Sequence, residues 1–380
     1  MRVANLIGLV ILTLGLTYAA VLAQIRDNAP ALESVRMIDT LTGWAVTDES
    51  GAERLLHTSD GGRHWLDVSP LNPAKGQIVD YHVTALSSLL AWVASSELPT
   101  GTPTGTTRIF RTNDGGRRWG SAAIHATSTL SIHFINTRDG WLLSNERAAA
   151  GSMEVNIYRS TDGGGTWIKV ESTRFNDESS GLPFVGDKAG LTFLNTMRGW
   201  VTGAILTDDS IYLYITNDGG RTWGQQNLPL PHQLTPHWND WTMPPTFFTA
   251  RDGILPVFYA IRNELHRDIK AVLVCYATHD AGTNWTYTTP VPIGLGKEFS
   301  TSFADINHGW VTDGAALYAT IDGGRQWTTI RSPSFLVNVK QLDFISPSVG
   351  WAVSRTPPSL LKTMDGGVTW TPVAYTVWHQ

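Results

Sequence analysis

Seven aspartates recur in one octapeptide, a carboxylate array that could bind metal or donate protons. The copies are TSDGGRHW (58–65), TNDGGRRW (112–119), STDGGGTW (160–167), TNDGGRTW (216–223), THDAGTNW (278–285), TIDGGRQW (320–327) and TMDGGVTW (363–370). They supply Asp60, Asp114, Asp162, Asp218, Asp280, Asp322 and Asp365, each followed five residues later by Trp65, Trp119, Trp167, Trp223, Trp285, Trp327 and Trp370. Catalysis needs one site, and no copy carries a second carboxylate at fixed spacing, so the array reads as structural. A short carboxylate before two glycines caps a tight turn by accepting backbone N–H groups, and the glycines permit positive φ. The tryptophan folds back over the turn and fills the wedge between strands, its indole N–H seeking an acceptor.

Other side chains that could do chemistry are scattered. Arg63, Arg117, Arg221 and Arg325 share one octapeptide position, with Arg118 beside one of them, and Arg138, Arg198 and Arg251 recur in a second turn. On separate repeats they read as solvated turn residues. His232 and His237 form the one close histidine pair of note, in a Pro-rich insertion (228–245) that also carries Trp238, Asp240 and Trp241. With Arg174, near Asp177 and Glu178 in another insertion, these are the candidate binding residues, because aromatic and Arg side chains on loops anchor protein interfaces. No catalytic residue, metal site or cofactor is assigned. The single cysteine, Cys275, lies in an apolar run and reads as a core residue. A net charge of −5 argues against a nucleic-acid partner, and 42% hydrophobic residues suffice for a buried core.

The elements that must hold these residues follow from a second motif. Ahead of each octapeptide stands a short apolar strand, a tight turn and then Gly-Trp: Gly43-Trp44, Ala91-Trp92, Gly140-Trp141, Gly199-Trp200, Gly253-Ile254, Gly309-Trp310 and Gly350-Trp351. The fifth copy departs with Ile254, and again with Ala281 in its octapeptide. The unit recurs about every 50 residues, the length of a four-stranded antiparallel blade. Strand one ends at the turn, Gly-Trp opens strand two, strand three leads into the octapeptide, and its Trp opens strand four. The expected fold is all-β: a seven-bladed propeller of four-stranded antiparallel blades. Its repeats lie near 34–68, 80–122, 129–170, 188–226, 244–288, 299–330 and 338–373, within one domain, 26–380. Nothing in the sequence marks a strand that closes the ring.

Ahead of the domain, residues 3–25 carry no charge after Arg2 and read as a signal peptide or an uncleaved signal anchor, 1–25. Either sends the rest across a membrane, so the expected location is extracytoplasmic. The one–two turns and octapeptides vary little in length, whereas the two–three and blade-to-blade loops vary widely. Function is therefore expected on the face of variable loops.

The octapeptide resembles the Asp-box of BNR-type repeats, found in sialidases, xyloglucanases and sortilin-like receptors. Its alternation with Gly-Trp resembles the photosystem II stability/assembly factor family and its bacterial relatives, over about residues 34–373. That resemblance implies a non-enzymatic extracytoplasmic protein that binds another protein, often a membrane protein during biogenesis; the chain itself is expected to be a monomer. The alternative it leaves is an Asp-box glycosidase, sialidase-like or glucan-active, or a carbohydrate-binding propeller. The sialidase pattern places an arginine in Arg-Ile-Pro, which this chain lacks; its Arg108-Ile109 is followed by Phe110.

Overall fold

The structure, a computed structural model, describes residues 30–49, 52–70, 80–97, 105–149, 151–175, 181–205, 211–232, 234, 238–263, 265, 267–295, 299–330, 338–355 and 357–379. The N-terminal segment 1–25 lies outside the described residues. Among the described residues there is no helix, and the chain is a ring of seven antiparallel blades.

Blade 1 is β1 (Leu32–Met37), β2 (Gly43–Glu49), β3 (Ala52–Thr58) and β4 (His64–Asp67). Blade 2 is β5 (His82–Ala85), β6 (Ala91–Glu97), β7 (Thr106–Thr112) and β8 (Gly120–His125). Blade 3 is β9 (Ser128–Phe134), β10 (Gly140–Ala149), β11 (Ser152–Ser160) and β12 (Ile168–Ser172). Blade 4 is β13 (Asp187–Phe193), β14 (Gly199–Ala204), β15 (Leu213–Thr216) and β16 (Gly224–Gln225). Blade 5 holds β17 (Trp238–Thr242), β18 (Thr246–Phe247), β19 (Gly253–Arg262), β20 (Asp268–Thr278), β21 (Thr286–Tyr287) and β22 (Val291–Ile293). Blade 6 is β23 (Ser300–Phe303), β24 (Gly309–Thr312), β25 (Leu317–Thr320) and β26 (Thr328–Ile330). Blade 7 is β27 (Val339–Phe344), β28 (Gly350–Arg355), β29 (Pro358–Thr363) and β30 (Thr371–Val373). A last strand, β31 (Thr376–Trp378), pairs parallel to β4 on the outer edge of blade 1. The ring thus closes by a strand exchanged from the end of blade 7, which makes blade 1 five-stranded.

The spacing between Phe and Gly-Trp has a packing cause. The Phe that ends strand one lies six residues before the Gly that opens strand two, and the two pair directly: Phe134 with Gly140, Phe193 with Gly199, Phe344 with Gly350. A Cβ on Gly140 would stand 2.4 Å from the Phe134 ring, and one on Gly199 2.5 Å from Phe193, so the ring demands the glycine. That ring then receives the Gly-Trp indole of the preceding blade. Trp92 stacks on Phe134 at 3.9 Å, Trp141 on Phe193 at 3.8 Å and Trp310 on Phe344 at 3.6 Å. The octapeptide Trp of the Phe's own blade meets it edge-on: Trp167, Trp223 and Trp370 lie 5.8, 6.2 and 5.8 Å away. Each such pair adds about 0.5–1.5 kcal/mol beyond its buried area. The blades are thus joined by an aromatic triple whose members come from both sides of the boundary.

Hydrogen bonds reinforce the same seams. The Trp92, Trp141 and Trp310 indoles donate to the carbonyls of Gly163, Gly219 and Gly366, the first octapeptide glycine of the next blade (2.8–3.1 Å). Around the channel, side chains satisfy the open edges of neighbouring inner strands. Gln341 accepts from Val35 N–H at 2.7 Å, Asp343 from Met37 at 2.6 Å, Ser300 from Leu342 and Ser302 from Phe344. An inner strand left bare would bury unpaired backbone donors.

Candidate functional site

The octapeptides build one face. In blade 4, Asp218 Oδ1 accepts from Thr216 Oγ1 (2.8 Å) and from the N–H groups of Arg221 and Thr222 (2.9 and 3.0 Å), while Gly220 N–H donates to Thr216 Oγ1. Every copy repeats the Ser/Thr-to-Asp bond at 2.8–3.0 Å. The first glycine N–H also donates to the one–two turn of its own blade, as Gly61 does to Leu41, Gly219 to Met197 and Gly366 to Ser348, so both turns share a face. Both glycines have positive φ, 78° and 96° at Gly219 and Gly220. Ala281 takes the first position in blade 5 at φ 64°, a conformation costly for a residue with a Cβ. The carboxylates are held low by these donors: bonds from Thr166 keep Asp162 at about 2, and bonds from Asn284 keep Asp280 at about 2. They are ionised, saturated turn caps.

A cavity of about 890 Å³ occupies the centre of the ring and reaches the one–two turns of blades 2 to 5 through Leu86, Ile135, Leu194 and Phe248. Its polar wall includes Ser34, Arg36, Thr84, His133, Thr192 and Gln341, and among the described residues no Asp or Glu lines it. Just behind the wall, Asp343 bonds Arg36 Nη1 at 3.2 Å; burial pushes its carboxyl up and Arg36 opposes that. Burial lowers the His133 imidazole, whose Nε2 lies 3.1 Å from the Phe193 carbonyl and so carries the proton as donor.

The Pro-rich insertion is not the loop its composition suggests. Residues 238–242 form β17, the innermost strand of blade 5, paired with the extended hairpin strand β19. Trp238 is 3% exposed and packs edge-on to Tyr259 at 5.1 Å, so it is a core residue. Asp240 is equally buried at 3%, accepts from Thr242 Oγ1 at 2.5 Å, and burial pushes its carboxyl up to about 7. Beside it Tyr259 and Tyr276 share a hydrogen bond of 2.7 Å. Strand alternation turns Trp241 the other way, 45% exposed. His232 is exposed, with its ring 6.4 Å from Tyr287, and Arg174 is exposed on the blade 3–4 connection. His237, Asp177 and Glu178 lie outside the described residues. The structure therefore places Trp241, His232 and Arg174 at the surface and withdraws Trp238 and Asp240 into the core. Among the described residues no three His, Cys, Asp or Glu side chains converge. Cys275 is buried, and burial raises its thiol to about 12.

Sequence reasoning passed over the apolar side chains of the octapeptide face. Leu41, Leu86 and Leu89 stand exposed in the one–two turns of blades 1 and 2, and Ile321, Met364 and Val368 in the octapeptides of blades 6 and 7. For Leu41, Leu89, Ile321, Met364 and Val368 the signal was present, since these positions are mostly polar or charged in the other copies; Leu86 sits where every copy is apolar.

No model of a protein family matches this sequence, and no curated protein sequence does. The fold is shared with solved structures. A structure of YCF48 bound to D1 peptide is 15% identical with a TM-score of 0.53, over 90% of this chain and 91% of that one. An uncharacterized protein from Listeria monocytogenes EGD-e is 11% identical with a TM-score of 0.50, over 93% and 96%. An ulvan lyase of polysaccharide lyase family PL25 is 10% identical with a TM-score of 0.48, over 92% and 95%. At these identities the likeness is one of fold, which agrees with the resemblance to the photosystem II assembly factor family drawn from the repeats.

Proposed function

We propose that this chain is a non-enzymatic, protein-binding propeller that works outside the cytoplasm as a stability or assembly factor for a membrane or envelope protein complex. The observation that carries this reading is the wall of the central cavity, where hydroxyl, amide, imidazole, guanidinium and apolar groups meet, among the described residues, without a carboxylate. Glycoside hydrolysis generally needs two carboxylates across the bond to be cut. The seven octapeptide aspartates are saturated by their own turns and stand outside the cavity lining. YCF48, a propeller of the same fold, has been solved with a peptide bound, which supports a polypeptide as the partner class. The uncharged N-terminal stretch supports passage across a membrane.

Tagged protein retained on beads from detergent-solubilised membranes of its host should hold a reproducible protein partner. It should release no sugar from sialosides or β-glucans. Turnover of a glycoside, abolished by one carboxylate substitution, would overturn the reading. Fractionation of host cells should place the protein outside the cytoplasm.

A further inference from the structure

Blade 5 is longer than its neighbour. Its middle strands β19 and β20 run 10 and 11 residues, while β24 and β25 of blade 6 run 4 each. Both hairpins start level at the octapeptide end, Gly253 opposite Thr278 and Gly309 opposite Thr320. The surplus therefore projects from the face of the variable loops, past what blade 6 can cover. Ala271 and Ile293 pair with each other and are buried; beyond them the chain runs outward to Ile269 and Leu295, 57 and 47% exposed. A register shift between Ile261 and Arg262 sets Ile269 outside the β19 ladder, and Leu265 at the tip is 73% exposed. Arg267 and Lys270, both exposed, stand among these apolar side chains. The blade 3–4 connection puts a second apolar spot on the same face: Phe175, 69% exposed and edge-on to Phe184 at 5.6 Å, with Val185 and Arg174 exposed nearby. The chain also enters the ring on this face. β1 begins at Leu32 and runs towards the one–two turn, and it is the inner strand of blade 1. The Ala31 carbonyl accepts from Thr47 and the Pro30 carbonyl from Tyr375, so the entry is fixed to the ring. The uncharged stretch 3–25 ends five residues before Pro30, and five residues reach at most about 18 Å.

We propose that the blade 5 hairpin and the blade 3–4 connection seat the ring on the lipid surface that the N-terminal stretch enters. Leu265, Ile269 and Leu295 dip into the headgroup layer, Arg267 and Lys270 meet its phosphates, and Phe175 and Val185 make the second contact. The occupant is lipid because the short tether leaves from this face and holds it against the bilayer, while the octapeptide turns lie a strand's length further off. The two–three hairpins of blades 1 and 2 begin instead with Asp48-Glu49 and Glu97, acids that a phosphate layer repels, so those blades stand clear. The inference rests on the extracytoplasmic, protein-binding reading and adds which way the ring faces. The end of the cavity at the one–two turns then points away from the lipid, open to a protein partner.

The test places the full chain in vesicles of phosphatidylcholine and phosphatidylglycerol. Cys275 is buried, so an introduced surface cysteine takes a fluorescent maleimide. Probes on Leu265→Cys and on Phe175→Cys should lose at least about half their emission when brominated phosphatidylcholine replaces the ordinary lipid, and a probe on Met364→Cys, in the octapeptide face, should lose none. Adding Ile269→Asp and Leu295→Asp to the Leu265→Cys chain should weaken the quenching at 265 and leave melting unchanged. No quenching at 265, or equal quenching at 265 and 364, would overturn the orientation and leave the protein-binding reading standing. So would a probe at 265 that only a host protein shields, and so would a chain from host cells that begins at Gln24, since it has no tether. Recovery of the protein in the cytoplasm would sink this inference and the proposed function together.

Discussion

Each octapeptide aspartate is a small acid-sensitive clamp. Hydrogen bonds from Thr166 and Asn284 hold Asp162 and Asp280 at about 2 in the fold, against the ordinary 3.8. Their contribution is complete above about pH 4 and is lost as pH falls through 2, so melting temperature should drop across that window. Asp218→Ala removes three bonds to one carboxylate oxygen and should cost about 1.5–3 kcal/mol without selectively weakening partner capture. Ala281→Gly relieves a left-handed alanine and should raise stability by about 1 kcal/mol in chemical denaturation. Asp240 has the opposite sign. With its carboxyl raised from 3.8 to about 7, the fold keeps a proton that the unfolded chain releases, so stability falls as pH rises between those values. Asp240→Asn should flatten that slope and gain roughly a few kcal/mol at pH 8. The two kinds of aspartate differ in how legible they are. The repeated ones declare a turn through their fixed glycines. Asp240 is flanked by prolines and looks like a loop residue, and its burial comes from strand pairing with β19, a partner about 20 residues away.

The strand-level grammar was open to sequence reading because it is local. Six residues separate the Phe from its Gly, and a hairpin joins them. Why the glycine is there was not, since the answer is a ring lying on it. Gly199→Ala should force the Phe193 ring off Trp141 and cost about 1–3 kcal/mol, read as a lower melting temperature. The same substitution is already present at Ala91, which pairs with Ala85 and so has no phenylalanine ring over it. Blade 5 hides its inner strand for another reason. Pro244 and Pro245 interrupt strand one between β17 and β18, so neither half is long enough to show a clean alternation.

At the scale of the whole molecule, seven octapeptides specify the number of blades, yet the closing strand carries no octapeptide of its own and is set only by where blade 7 leaves the chain. Tyr375, buried, donates to the Pro30 carbonyl at 2.8 Å, and Thr376 N–H to Arg63. Deleting residues 375–380 should cost about 3–5 kcal/mol, and amide exchange should quicken first along β4. The exchanged strand also bears on how the protein is made. β31 leaves the ribosome after every blade has been synthesised, and Val35 must wait for Gln341, 306 residues later, before its edge is satisfied. Until then the growing chain is an open arc with a bare β4 edge. A second arc nearby offers the same tail, and capturing it would start a strand-swapped chain of molecules with no natural end. Closure is therefore a race between a chain's own tail and its neighbour's: the first is set by the short reach from blade 7 to β4 and the second by concentration, so dilute synthesis favours rings and crowded synthesis favours polymers.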